Sequence, residues 1–255
     1  MRPERLLRVL PGLLFLALLL VALEWAVNAG MIRRALMPPP SAIWEVLRDL
    51  VTSGEVLGPL TATLRLVFIG FAIGSVIGIA LGTAMAWWAP AYRLLEPLVE
   101  TVRPLPKSAL VPPLMLFLGI CDTMKITSVA LAVTFPVLVN TLQGVRGVDR
   151  VLLDSARTHG WGTARALWHV VLPAALPFIL AGMRTSLGLA LIIAVLSEML
   201  TGQGGLGFLI LDMQRSFLIR QMYAWLVILA LVGLALNALF AWAEARALHW
   251  QVRDR

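Results

Sequence analysis

Apolar and polar stretches alternate along this chain on a scale far longer than one helical turn. Apolar runs occupy residues 9–27, 66–88, 104–120, 126–142, 174–196 and 223–242, and charged residues gather between them. Each run is close to the roughly 17–25 residues that a helix needs to cross ~30 Å of hydrocarbon. The pattern predicts an all-α polytopic membrane protein with about six transmembrane helices, forming a single transmembrane domain over residues 1–255.

The runs differ in what they carry. Arg2, Arg5 and Arg8 flank the first. It reads either as a signal peptide ending at the small residues Val27-Asn28-Ala29 or as a retained first span. Met37-Pro38-Pro39-Pro40-Ser41 predicts a rigid turn on the outer side, with Ser41 capping a helix over 43–51 and Gly54 stopping it. In the second run Gly70, Gly74, Gly78 and Gly82 recur every four residues. That spacing predicts a bare groove on one helical face that another backbone can approach closely.

The third run is short, and Pro112-Pro113 interrupts it. Broken backbone of this kind is tolerated where protein or a cavity surrounds the freed polar groups. Residues 122–125 read as a tight outer turn. Asn140 lies in the fourth run and Arg184 in the fifth. A charge within a span costs at least ~2.5–3.5 kcal/mol at the centre, so Arg184 requires a pairing partner or a route to the surface. Glu198 follows the fifth run, and Leu206, Ile210, Met213 and Phe217 form a helical apolar stripe for an interfacial helix.

The longest polar interruption in the second half runs from Asp149 to Pro173. Asp149 can cap a short helix, Gly160 can end it in a left-handed conformation, and Thr163 can cap a second helix up to Leu172. Val151, Leu152, Ala156, Ala164, Leu167 and Trp168 give this helical hairpin an apolar side; Arg150, Asp154, Arg157 and Arg165 give it a charged one.

Composition narrows the class. Of 255 residues, 60% are hydrophobic and only 14% charged, which excludes an ordinary soluble domain. The net charge of +7 is topological: basic residues are denser before the first run, before the third, in the 146–173 loop and in the tail than in the intervening segments. That bias places those segments, and both termini, in the cytoplasm. Cys121 is the single cysteine, and the three histidines are scattered, so no metal-ligand set is predicted. Ser186 and Ser197 have no histidine at the same depth to activate them. No phosphate-binding Gly-x-x-x-x-Gly-Lys-Ser/Thr loop occurs, so the sequence predicts no catalytic, cofactor-binding or metal residues.

Asp154-Ser155-Ala156, three residues, Gly160, nine residues and Val170-x-Leu172-Pro173 reproduce the spacing of a known motif. The segment resembles the Glu-Ala-Ala loop of the membrane subunits of binding-protein-dependent ABC importers. Asp154 stands where that family usually has Glu, Ser155 where it has the first Ala, and His159 where Leu is common. The stretch from Arg103-Pro104-Leu105-Pro106 to Gly119 and Asp122, and Glu198 with Gly205-Leu206-Gly207, are similar to two further family patterns. The likeness covers roughly residues 35–245 and leans towards the nitrate, sulfonate and taurine branch.

The resemblance implies a MetI-like type I ABC importer permease fold. It implies that Asp154, Ser155, Ala156, Gly160, Leu172 and Pro173 belong to a cytoplasmic coupling loop, residues 146–173, that docks on an ATPase. The implied partners are a second permease copy, two cytoplasmic ATPase subunits that bind ATP and Mg, a periplasmic or extracellular substrate-binding protein and the lipid bilayer, with no nucleic acid. The implied location is the bacterial inner membrane, and the implied cargo a small anion or zwitterion like nitrate, a sulfonate or taurine, or a related small organic molecule. Asn140, Arg184 and Glu198 are candidates for the translocation path. A stand-alone secondary transporter or channel is the alternative; it leaves the ordered hairpin unexplained, and acidic residues for ion coupling are almost lacking within the runs.

Overall fold

The computed structural model describes residues 3–250, and these contain helices and no strand. Arg2, Arg253 and Arg255 lie outside the described residues. The chain runs through α1 (Pro3–Asn28), α2 (Pro40–Ser53), α3 (Leu57–Trp87), α4 (Ala89–Val102), a 3-10 turn (Lys107–Leu110), α5 (Val111–Leu118) and α6 (Asp122–Arg146). It continues through α7 (Arg150–Thr158), α8 (Thr163–Ala166), a π turn (Leu167–Val171), α9 (Leu172–Thr201), α10 (Gly205–Arg215) and α11 (Ile219–Ala247).

Among the described residues, four helical stretches are long and apolar enough to cross a bilayer: Leu57–Trp87, Asp122–Arg146, Thr163–Thr201 and Ile219–Ala247. Two shorter apolar helices, Leu14–Asn28 and Lys107–Leu118, complete the set. Lys107–Leu118 covers only about 18 Å at an α-helical rise, so it does not cross as a straight rod. The expected run 104–120 is therefore a half-length helix. Pro112 and Pro113 do not interrupt it; they sit in the first turn of α5, where a missing N–H costs nothing.

The centre is a three-helix stack of α3, α6 and α9. Leu66 and Val67 of α3, Val129, Val133 and Val137 of α6, and Ala190, Ile193 and Ala194 of α9 are buried together. The glycine stripe sets the α3–α6 distance. A Cβ added at Gly70 would lie 2.6 Å from Val129 Cβ. At Gly74, Gly78 and Gly82 it would lie 2.5, 2.7 and 2.6 Å from the carbonyl oxygens of Ala130, Thr134 and Leu138. Helices without a water-driven hydrophobic force between them gain contact energy through such close backbone approach. The sequence expectation of a tight groove holds at all four positions.

The second cluster joins α2, α10 and α11 through Leu47, Leu50, Leu206, Ile210, Ala224, Trp225 and Ile228. Here two local expectations change. Ser41 does not cap α2; Pro39 is the cap residue and Ser41 lies in the first turn. The orphan N–H of Ser41 instead donates to Glu24 Oε2 at 3.0 Å, and its hydroxyl donates to Glu24 Oε1 at 2.8 Å, so α1 supplies the cap. Gly54 ends α2 at φ 78°, as expected. In α10 the apolar stripe stops at Met213: Phe217 lies beyond the helix, at φ 57° and fully exposed. Residues 122–125 are the first turn of α6 and not a separate outer turn.

Candidate functional site

Two places on the three-helix stack concentrate polar chemistry, one at each end. The first is the hairpin between α6 and α9. Asp149 accepts a hydrogen bond from the Val151 N–H at 2.9 Å, which starts α7. Gly160 takes φ 71°, its N–H donating to the Arg157 carbonyl at 2.9 Å, which ends it. Both expected signals are present. Thr163 makes no cap; Gly162 is the cap residue and Thr163 the first residue of α8.

The second limb also differs from expectation. It does not stop at Leu172 but runs on as one 39-residue helical stretch, Thr163–Thr201. The Leu172 N–H reaches back five residues to the Leu167 carbonyl, closing the π turn. The widening falls just before Pro173, which has no N–H to give to the residue four places back. Pro173 therefore sits inside a continuous rod, where it marks a change of register.

The hairpin has two faces. Ala156, Ala166 and Val171 are buried, and Leu153 and Leu167 pack beside the cluster of Val145, Val171, Ala175 and Ile179. Ala156 and Leu167 thus turn towards the protein, joined by Leu153, which the sequence pattern did not single out. Val151, Leu152 and Trp168 remain exposed. Asp154 pairs with Arg157 at 3.0 Å on the outer surface, and Ser155 is exposed beside it. Arg165 lies over the Trp161 ring at 4.9 Å, bracing the bend. Leu172 is half-buried and Pro173 exposed at the root of α9.

The opposite end carries a buried carboxylate. Glu198 is fully buried near the end of α9. Its Oε1 accepts from the Thr63 hydroxyl of α3 at 2.7 Å, and its Oε2 accepts from the Gly207 N–H at 2.8 Å. Thr63 Oγ1 in turn accepts from the Leu206 N–H at 2.9 Å. Two orphan donors in the first turn of α10 are thereby satisfied by one carboxylate and one hydroxyl, and negative charge faces a helix start. The glycines of the Gly-Leu-Gly segment explain themselves: a Cβ at Gly205 would collide with the Glu198 carboxylate, and one at Gly207 with the Val195 carbonyl. Beside this corner, Lys125 of α6 is 3% exposed and donates from Nζ to the Gln203 carbonyl at 2.8 Å. Asp122 stands 3.7 Å from the same nitrogen.

Asn140, Arg184 and Glu198 are not brought together. Asn140 donates to the Pro136 carbonyl at 2.8 Å and packs against Gly182, at the α6–α9 crossing. Arg184 donates to Glu244 Oε2 of α11 at 3.3 Å, which answers the need for a partner. Thr63 and Lys125 were invisible as site residues because their partners lie 135 and 78 positions away.

Comparison with known proteins gives a consistent picture. A family model described as "Binding-protein-dependent transport system inner membrane component" matches residues 70–248. SsuC of Bacillus subtilis, named as an aliphatic sulfonates transport permease, is 30% identical over 240 residues, 94% of this chain and 87% of that one. The taurine transport system permease protein TauC of Escherichia coli is 29% identical, covering 92% of this chain and 87% of that one. The nitrate import permease protein NrtB of Synechocystis is 30% identical over 72% of this chain and 67% of its own. Among solved structures, an inward-facing MetNI methionine ABC transporter matches with a TM-score of 0.64 at 20% identity, over 75% of this chain and 95% of that one. At that identity the likeness is one of fold.

Proposed function

This chain belongs to the family of inner membrane components of binding-protein-dependent transport systems, and from that premise we propose that it is the permease subunit of an ATP-driven importer of a small anion or zwitterion. The relatives named for sulfonate, taurine and nitrate transport support that solute class. ATP and Mg belong to a separate ATPase, and a binding protein delivers the solute to the face opposite the hairpin. Two permease copies related by a two-fold axis enclose the path, since in one copy the side chains of α3, α6 and α9 pack against one another at the centre. The hairpin and both termini face the cytoplasm of a cell whose inner membrane holds the protein.

The observation that carries this reading is a capped, braced hairpin that shows Val151 and Leu152 to solvent at the end of two core helices. A short amphipathic helix with an apolar face outside the bilayer fits a groove on a soluble partner. In the reaction cycle, ATP draws two ATPase subunits together and the seated hairpins move with them. Because the hairpin continues into α9, that displacement enters the stack and switches the path from inward to outward access. Hydrolysis returns it.

The test is co-purification from detergent with candidate ABC ATPases. Val151→Asp and Leu152→Asp change exposed positions, so the spans insert normally. Loss of the ATPase from these variants, with retention by wild type, supports the reading. Equal retention by all three, or none by wild type, removes it.

A further inference from the structure

We propose that the cavity between Ala62–Leu66 of α3, the first turn of α6 and the α9–α10 corner is a subsite for the oxyanionic head of the transported solute. The proposal rests on the reading of the chain as an importer of small anions or zwitterions, and it adds the residues that meet the charge. The cavity, about 260 Å³, is lined by Ala62, Arg65, Leu66, Asp122, Lys125, Gln203 and Gly204. It lies at the end of the bundle opposite the hairpin, since α6 begins there and ends at the hairpin.

Three features give it chemistry. Lys125 is 3% exposed, yet its ammonium makes a single close hydrogen bond, to the Gln203 carbonyl. Asp122, at 3.7 Å, lies beyond direct hydrogen-bond reach. An ammonium has three donors, so this buried cation is left under-satisfied in a wall of the cavity. Arg65, which also lines the cavity, is exposed, and among the described residues it makes no ion pair or side-chain hydrogen bond. A guanidinium presents a planar fork of donors that matches carboxylate or sulfonate oxygens two at a time.

The third feature is charge balance. Glu198, the nearby buried carboxylate, has both oxygens occupied by Thr63 and Gly207. It is committed to holding α10 and does not line the cavity. The cavity wall itself therefore presents two cations and the single carboxylate of Asp122, with the oxygens of Glu198 turned away to Thr63 and Gly207. An oxyanion between Arg65 and Lys125 completes the unmet donors, and Asp122 at the rim tolerates an ammonium on the same small molecule. The volume limits the occupant to a head group with a few carbon atoms.

The experiment uses the intact chain in nanodiscs of phosphatidylcholine, with Cys121→Ser removing the native thiol and Ala62→Cys placing one in the cavity wall. A sulfonate-bearing methanethiosulfonate is compared with its trimethylammonium counterpart. The expected result is labelling about tenfold faster by the sulfonate reagent, relative to a free thiol, as a cation-lined cleft concentrates anions. Added ethanesulfonate slows that labelling and added choline does not. Arg65→Gln brings the two reagents close to equal rates, while Arg65→Lys retains the preference. Equal rates in the parent, or labelling unmoved by ethanesulfonate, overturn the subsite. Dependence on anionic lipid, with no ethanesulfonate effect, assigns the cations to lipid head groups and also overturns it. ATPase capture is read separately: capture without anion preference removes this subsite alone, and anion preference without capture removes the importer reading and leaves only an anion site, no longer one for imported cargo.

Discussion

Arg184 of α9 and Glu244 of α11 are joined by an ion pair at 3.3 Å, sixty positions apart in the sequence. Glu244 is the more enclosed of the two, so the pair is asymmetric: loss of the arginine strands a largely buried carboxylate. Arg184→Leu is expected to destabilise the protein by about 2 kcal/mol, less than the ~3–5 of a fully buried pair because Arg184 is half exposed. The exchange Arg184→Glu with Glu244→Arg restores most of the loss. Thermal unfolding followed by size-exclusion chromatography in detergent reads both results. Equal stability of Arg184→Leu and wild type would show the pair to be idle.

The α3–α6 contact makes a sharper prediction, because two glycines of the same helix differ in surroundings. A methyl at Gly74 meets the Ala130 carbonyl, whereas nothing lies within 4 Å of one at Gly58. Gly74→Ala should cost about 1–3 kcal/mol by overpacking against a backbone that cannot yield. Gly58→Ala should be neutral or stabilising by up to about 1 kcal/mol, since it removes glycine's freedom in the unfolded chain. The same thermal assay measures both, and equal effects would contradict the packing described here.

The Glu198 corner predicts a local effect that a global assay would blur. Thr63→Val removes the hydroxyl that accepts from the Leu206 N–H and donates to Glu198. Leaving those groups buried and unpaired costs about 1–3 kcal/mol. Glu198→Gln puts an amide N–H against a backbone or hydroxyl donor and loses a similar amount. Hydrogen exchange at the amides of Leu206 and Gly207 should accelerate in both variants while the amides of α6 stay protected. Unchanged exchange at those two amides would mean that the corner does not hold α10.

In the hairpin, Asp149→Ala removes a capping bond and should cost about 1 kcal/mol of local helix stability. Thr163→Ala should cost nothing measurable, because Thr163 lies inside α8 and its side chain caps nothing. Proteolysis within residues 149–162 distinguishes them: faster cutting in Asp149→Ala alone is the expected outcome. Faster cutting in both would restore Thr163 as a cap.

What could be read from the sequence follows the range of the interactions. The glycine stripe, the Asp149 cap and the Gly160 stop are set by residues within one or two turns, and each appears where its spacing places it. The need of Arg184 for a partner was equally legible, since any charge among apolar residues raises it; the identity of Glu244 was not, because only the packing of α9 on α11 brings it near. Ser41 was misassigned for the same reason: a local rule finds a cap in the nearest hydroxyl, and the actual acceptor, Glu24, comes from another helix. In α7, three consecutive apolar residues, Val151, Leu152 and Leu153, span more than one face. Periodicity cannot choose among them, and contact with the Val171 and Ala175 surface selects Leu153. Glu198 stands out in the sequence, but its joining with Thr63 and Lys125 into one polar corner does not, because their partners lie 135 and 78 positions away.

The uninterrupted helix from Thr163 to Thr201 is about 58 Å long at an α-helical rise, and it touches both ends of the molecule. The hairpin forms its foot, and Glu198 sits three residues from its tip. In the importer cycle proposed above, such a rod would work as a piston: a shove at the foot would arrive at the tip without passing through any loop, and α10, clamped to that tip, would be carried along. The soft couplings in the shaft are the π turn at its base and Pro177 just above it, which can take up twist while still passing thrust. In that cycle the stiffness of this shaft, more than any single side chain, would fix how much of a push from outside the bilayer reaches its far side.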